Sequence, residues 1–213
     1  LKLKKIPDLS NQTIKETISN QLKSDDIFTQ LFALDIIKNN DAHDFLDDLK
    51  ELKYSSKDKI IHYLISEFGE IEELYSTNEL VQLAEDNIEF APSIIKSLSL
   101  RPELASSQKM YFLKHPNSMI SIIAESLLGE ININDSKFYD LRDRIINFDD
   151  KETLLSFIPN SYFKDEKIMS HLYESSDKIK LIGLEKMDDE INTQFIHHIL
   201  DIFSNSHLKI DFI

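Results

Sequence analysis

Glycine is scarce in this chain: 213 residues contain three, Gly69, Gly129 and Gly183. A loop that cradles phosphate needs several glycines close together, because backbone N–H groups must reach the anion without a Cβ in the way. No two glycines here lie near each other. That excludes a Walker loop, a dinucleotide fingerprint and a G-x-S-x-G nucleophile elbow. Few glycines and five prolines also argue against an all-β chain, whose tight turns call for positive φ. Cysteine is absent, which excludes disulfides, thiolate metal sites and cysteine nucleophiles. The same absence fits a cytoplasmic location. No apolar run approaches the ~20 residues of a membrane span. The start, LKLKKIPDLS, is basic but lacks the apolar stretch of a signal peptide. Membrane insertion is therefore not expected. The first residue is Leu1 rather than Met, so a fragment of a larger protein is among the expectations.

What is abundant is negative charge and apolar surface. Asp and Glu number 38 against 24 Lys and Arg, a net charge of −14. Such a field repels phosphate backbones and anionic lipids, which disfavours nucleic acid. It favours solubility and a partner with a basic surface. The hydrophobic fraction, 41%, is that of an ordinary soluble protein and is spread along the chain.

Apolar residues recur at three- and four-residue spacing almost throughout, in short segments bounded by Ser, Asp, Asn, Pro or Gly. A leading helix runs from Ser10 and Asn11 to about Lys23. Ser24 is the expected cap of the next, with Ile27, Leu31 and Leu34 on one face. Asn40 or Asp41 starts a third, with Phe45, Leu46, Leu49 and Leu52 as its stripe. Ser55 opens a fourth, with Ile60, Ile61, Leu64 and Phe68 inside and Gly69 in the left-handed position that ends helices. Ser76 and Glu79 form a capping box, and Pro92 suits a first helical turn. Further starts fall at Ser106 or Ser107, Pro116 and Asn117, Asp135, Asp149 with Glu152, Asp165, Ser176, and Asp188 or Asp189. Starts of alternate helices lie near Ser24, Ser55, Asn87, Pro116, Phe148 and Ser176, about thirty residues apart. The chain thus reads as one domain, 1–213: a cap helix over 1–23, about six helix pairs over 24–204, and a tail over 205–213. Each pair alone buries too little apolar surface, and stacking gives them a continuous core.

The segment PNSMISIIAESLLG, 116–129, resembles the first helix of a HEAT-like repeat, with Pro116 before it, the small Ala124 inside it, and Leu128 then Gly129 at its end. Ala33 and Leu34 match less fully, and Gly183 stands where a small residue belongs. A small residue there lets a neighbouring helix approach closely. The resemblance implies an all-α, right-handed solenoid of antiparallel helix pairs. It covers most of 24–204, although regular Asp and Arg ladder positions are missing. A TPR array fits less well, because its Trp/Gly/Tyr pattern is absent.

No catalytic or metal-binding constellation stands out. The histidines, His43, His62, His115, His171, His197, His198 and His207, contain no pair at three- or four-residue spacing. His197 and His198 are adjacent and diverge by about 100° on a helix. Asp149–Asp150 and Asp188–Asp189–Glu190 sit at helix starts, where the dipole accounts for them. Most serines precede helices and read as caps. The seven tyrosines mostly fall in apolar stripes and read as core-edge packing. The sharpest cluster is Asp41, Asp44, Asp48 and Glu51, one stripe of a helix at spacings of three, four and three. Like charges at that spacing repel unless a cation or a basic partner covers them, so these four are the candidate partner-binding residues.

The expectation is a non-catalytic protein-interaction or scaffold module, without cofactor, acting on another protein. The resemblance also admits an enzyme, since some HEAT-like proteins are DNA glycosylases and others are bilin lyases. The first of these needs a basic groove, which the charge opposes. A self-associating regulatory domain is a third reading.

Overall fold

The computed structural model describes residues 11–186, apart from residues 39, 41, 102, 103 and 174. Among the described residues there are twelve α-helices and no strand, so the fold class is all-α. The helix expected after Asp188 or Asp189, with His197 and His198, and the tail over 205–213 lie outside the described residues. So does Asp41.

The chain divides into two compact units, residues 2–104 and 105–213. The first holds α1 (Gln12–Leu22), α2 (Ile27–Lys38), α3 (Leu46–Ser55), α4 (Lys59–Ser66), α5 (Thr77–Asp86) and α6 (Ala91–Ser99). Helices adjacent in sequence pack together: α1 on α2, α3 on α4, and α5 on α6. Helices one step further apart also pack: α1 on α3, α2 on α4, and α4 on α6. The core sits between these rows. Phe45, Leu49, Ile61, Ile65, Leu80, Ile94 and Ile95 are fully buried there. Each large aliphatic side chain so buried contributes about 1.5–3 kcal/mol.

The second unit holds α7 (Ser106–Leu113), α8 (Ser118–Leu128), α9 (Ser136–Ile146), α10 (Lys151–Phe157), α11 (Glu166–Tyr173) and α12 (Asp177–Lys186). The same rule of neighbours holds. Helix α7 packs on α8, α9 on α10, and α11 on α12, while α8 packs on α10, α10 on α12, and α9 on α11. Helix α8 is the most enclosed of this unit. Ile120, Ile122, Ile123, Ala124 and Leu128 are all buried, which its apolar sequence on several faces requires.

Polar links recur across about thirty residues. Lys59 pairs with Glu89, at the starts of α4 and α6. Tyr63 Oη and Ser93 Oγ are 3.0 Å apart. Ser97 Oγ donates to Ser66 O near the helix ends. These links in order make α4 and α6 parallel. In the second unit Lys178 pairs with Glu152 at the starts of α12 and α10, and Lys186 Nζ donates to Ile158 O near their ends.

Two longer clasps fix loops. Arg101, just past α6, is buried and donates from Nε to Gly69 O at 2.8 Å, from Nη2 to Gly69 O and to Tyr75 O, and from Nη1 to Thr77 Oγ1. Burial pulls its guanidinium below the usual range, while the charges of Glu72 and Glu70 push the other way. In the second unit Tyr162, on a 3₁₀ turn over Asn160–Lys164, donates to Ile131 O at 3.0 Å. Its ring meets Phe138 edge-on at 4.9 Å. Burial first, then the charges of Glu125 and Asp135, pushes its phenol up to about 12.

Most helix starts lie where the sequence reading puts them, and several details shift. The Ser76–Glu79 box is complete, Pro92 lies in the first turn of α6, and Asn117 caps α8. Asp26, not Ser24, caps α2 by accepting from Thr29 N. Ser55 ends α3, and Asp58 caps α4. Asp150, rather than Asp149, caps α10. Gly69 does not take a left-handed conformation. A Cβ on it would stand 2.9 Å from Leu80 Cδ1 and 3.0 Å from Ser97 Cβ, so its role is close packing. Gly129 closes α8 in a right-handed conformation, and the left-handed residue is Glu130, φ 54°. Ala33 and Ala124 are fully buried. A Cβ on Gly183 would stand 2.9 Å from Leu172 Cδ1, so α12 does approach α11 closely there.

Candidate partner-binding surface

Three residues of the acidic stripe fall at one seam. Asp44, in a 3₁₀ turn over Ala42–Phe45, accepts from Lys15 Nζ at 2.6 Å. Asp48 and Glu51, on α3, face Lys23 Nζ at 3.0 and 3.4 Å. Asp48 above all, then Glu51, raises the ammonium of Lys23 above its ordinary value. Lys15 of α1 and Lys23 just past its end thus supply cations to Asp44, Asp48 and Glu51. The spacing carried the signal: Lys15 and Lys23 are eight apart, near the seven of Asp44 to Glu51, so both sets span about two turns. Glu51 keeps 62% of its side chain exposed, so the stripe stays open to water on one side.

Exposed apolar side chains also stand on α2 and on α4, which pack together, and near the turn before α6. Phe28 is 76% exposed and Phe32 56%, one turn apart on α2. Ile60, expected inside, is 56% exposed on α4. The burial of Ile61 and Ile65 explains that correction, since they set the inward face and turn Ile60 away from it. Lys59, Ile60 and Tyr63 of α4 line a shallow, mostly apolar cleft with Glu89 and Phe90. Tyr63 and Phe90 pack ring on ring, centroids 5.1 Å apart. Single exposed apolar residues are ordinary, whereas a run of them along packed neighbours marks an interaction surface. The sequence held a hint. Helix α2 is apolar nearly all round, with Ile27, Phe28, Leu31, Phe32, Ala33, Leu34, Ile36 and Ile37, and one helix cannot bury every face against one row of neighbours.

The remaining candidates stay apart. Among the described residues no three His, Asp or Glu side chains come together in a group able to hold a metal. Among the same residues no helix is long and apolar enough to cross a membrane. Of the tyrosines, Tyr75 and Tyr162 are core, Tyr54 and Tyr139 are exposed, and Tyr63 borders the cleft.

No protein-family model, curated protein or solved structure matches this chain.

Proposed function

We propose that this chain is a non-catalytic protein-binding module built as a right-handed solenoid of stacked helix pairs, similar to HEAT repeats, and that it engages a partner protein through the face formed by α2, α4 and the start of α6. The observation that carries the reading is the exposure of Phe28, Phe32 and Ile60 on helices that pack side by side. Helix α2, which carries Phe28 and Phe32, packs on α4, which carries Ile60 and the Lys59–Tyr63 side of the cleft. The recurrence of polar links at about thirty residues supports stacked pairs, because each joins one pair to its neighbour. The stripe of Asp44, Asp48 and Glu51 adds a negative field and is not the anchor, since α1 already occupies it.

The test is cross-linking from the face in a lysate. p-Benzoylphenylalanine at position 32 should trap a discrete partner, and the same residue at position 82, on the exposed side of α5, should not. Equal products from the two positions, or none from position 32, would overturn the reading.

A further inference from the structure

The surroundings of this face say what chemistry would cover it. Two exposed carboxylates, Asp25 and Asp26, immediately precede α2 and its Phe28. Two more, Glu85 and Asp86, end α5 just before the turn Ile88–Phe90 that borders the cleft. Asp26 is held ionised by Thr29, whose hydroxyl and N–H both donate to it, and its carboxyl lies below the usual range for that reason. Glu85 and Asp86 sit at the negative end of the α5 dipole, where a carboxylate is unfavourable and a cation is welcome. Of the nearby cations, Lys59 is already paired with Glu89 and Lys23 with Asp48 and Glu51, which leaves exposed Lys57, just before α4, against these four carboxylates. Between Lys59 and Lys96 the sequence has eight carboxylates and no lysine or arginine.

Apolar anchors bordered by an excess of negative charge ask for an apolar ligand bordered by positive charge. A second copy of the chain does not meet that description. It would bring the same carboxylates against these, and a net charge of −14 besides. Anionic polymers and lipids fail for the same reason. The geometry adds a shape. Phe28 and Phe32 are one helical turn apart on α2, and Ile60 stands on α4, packed beside it, so the anchors match side chains recurring every three or four residues.

Resting on the binding-module reading above, we infer that the occupant is a basic amphipathic helix of another protein, its apolar stripe on Phe28, Phe32, Ile60 and the Lys59–Phe90 cleft, and its Lys or Arg residues facing Asp25, Asp26, Glu85 and Asp86.

The probes are three synthetic peptides of equal length: a helix of Leu at three- and four-residue spacing with Lys elsewhere, a scrambled form of the same composition, and a form with Glu in place of Lys. Fluorescence anisotropy against the full chain should show tight binding for the first only. The other two should be weaker by about tenfold or more, and raising salt should weaken the first. Phe28→Ala with Phe32→Ala should cut its affinity by about tenfold without changing the circular dichroism, because both rings are exposed. The inference is overturned by equal binding of the ordered and scrambled peptides, or by binding that the double variant leaves unchanged. It is also overturned by a dimer in sedimentation that the double variant dissolves, which would give the face to a second copy. A partner trapped from position 32 that the Leu/Lys peptide does not displace would remove this inference alone. No trapped partner would remove the module reading with it.

Discussion

The two units clasp a loop by the same reach and with opposite chemistry. In residues 2–104 Arg101 reaches back 32 residues to Gly69 O with a charged fork. In residues 105–213 Tyr162 reaches back 31 residues to Ile131 O with a neutral phenol. Both hold the segment that follows a central helix, α4 in one case and α8 in the other. The reach is nearly the same, and the chemistry differs. A fork satisfies three separate acceptors at the cost of burying a charge, and a phenol satisfies fewer at little desolvation cost. The comparison implies a ranking of damage on removal.

The largest effect is expected from Arg101→Met. It leaves Gly69 O, Tyr75 O and Thr77 Oγ1 without their donor and should cost about 3 kcal/mol, read by urea denaturation. Tyr162→Phe keeps the ring against Phe138 and loses only the hydroxyl, for about 1 kcal/mol. Equal losses from the two variants would break the comparison.

The acid limb separates the units further. Glu79 is lowered to about 2, chiefly by the hydrogen bond from Lys53, with Ser76 N–H next. A depressed folded value stabilises above the unfolded value near 4.5 and is lost as pH falls toward 2. Its side chain is about half exposed, 47%, so the contribution is discounted to about 0.5 kcal/mol. Glu79→Gln should flatten the stability profile of the first unit over that range, and the exchange rates of the second unit should be unaffected. The smallest expected effect is at Glu130, whose φ of 54° suits Asn or Gly. Glu130→Asn relieves that strain and forgoes the exposed pair with Lys109, so the net gain is about 0.3 kcal/mol, seen as a slightly higher Tm.

The all-α class and most helix boundaries were legible in the sequence, because capping residues such as Ser76 and Asn117 act on their own next turn. What was less legible depended on competition or on distance. Ser24 and Asp26, or Ser55 and Asp58, are equally good caps on paper, and the turn geometry chooses between them. Gly69 carries no mark that separates close packing from a left-handed turn, since its neighbours Leu80 and Ser97 are far away in sequence. Arg101 looks like any surface arginine until its three acceptors are brought to it. The cations facing Asp44, Asp48 and Glu51, Lys15 and Lys23, lie about thirty residues away in sequence, and the stripe itself carries no mark of them. Phe28 and Phe32 were hidden by a helix that is apolar nearly all round.

The stacking of helix pairs on their sequence neighbours is tested most directly by native-state hydrogen exchange on Arg101→Met. Loss of protection should be greatest between residues 67 and 101 and fade with distance along the chain, as nearest-neighbour stacking requires. A uniform loss over the twelve helices of the described residues would mean one cooperative globule, and the solenoid account would fall with it.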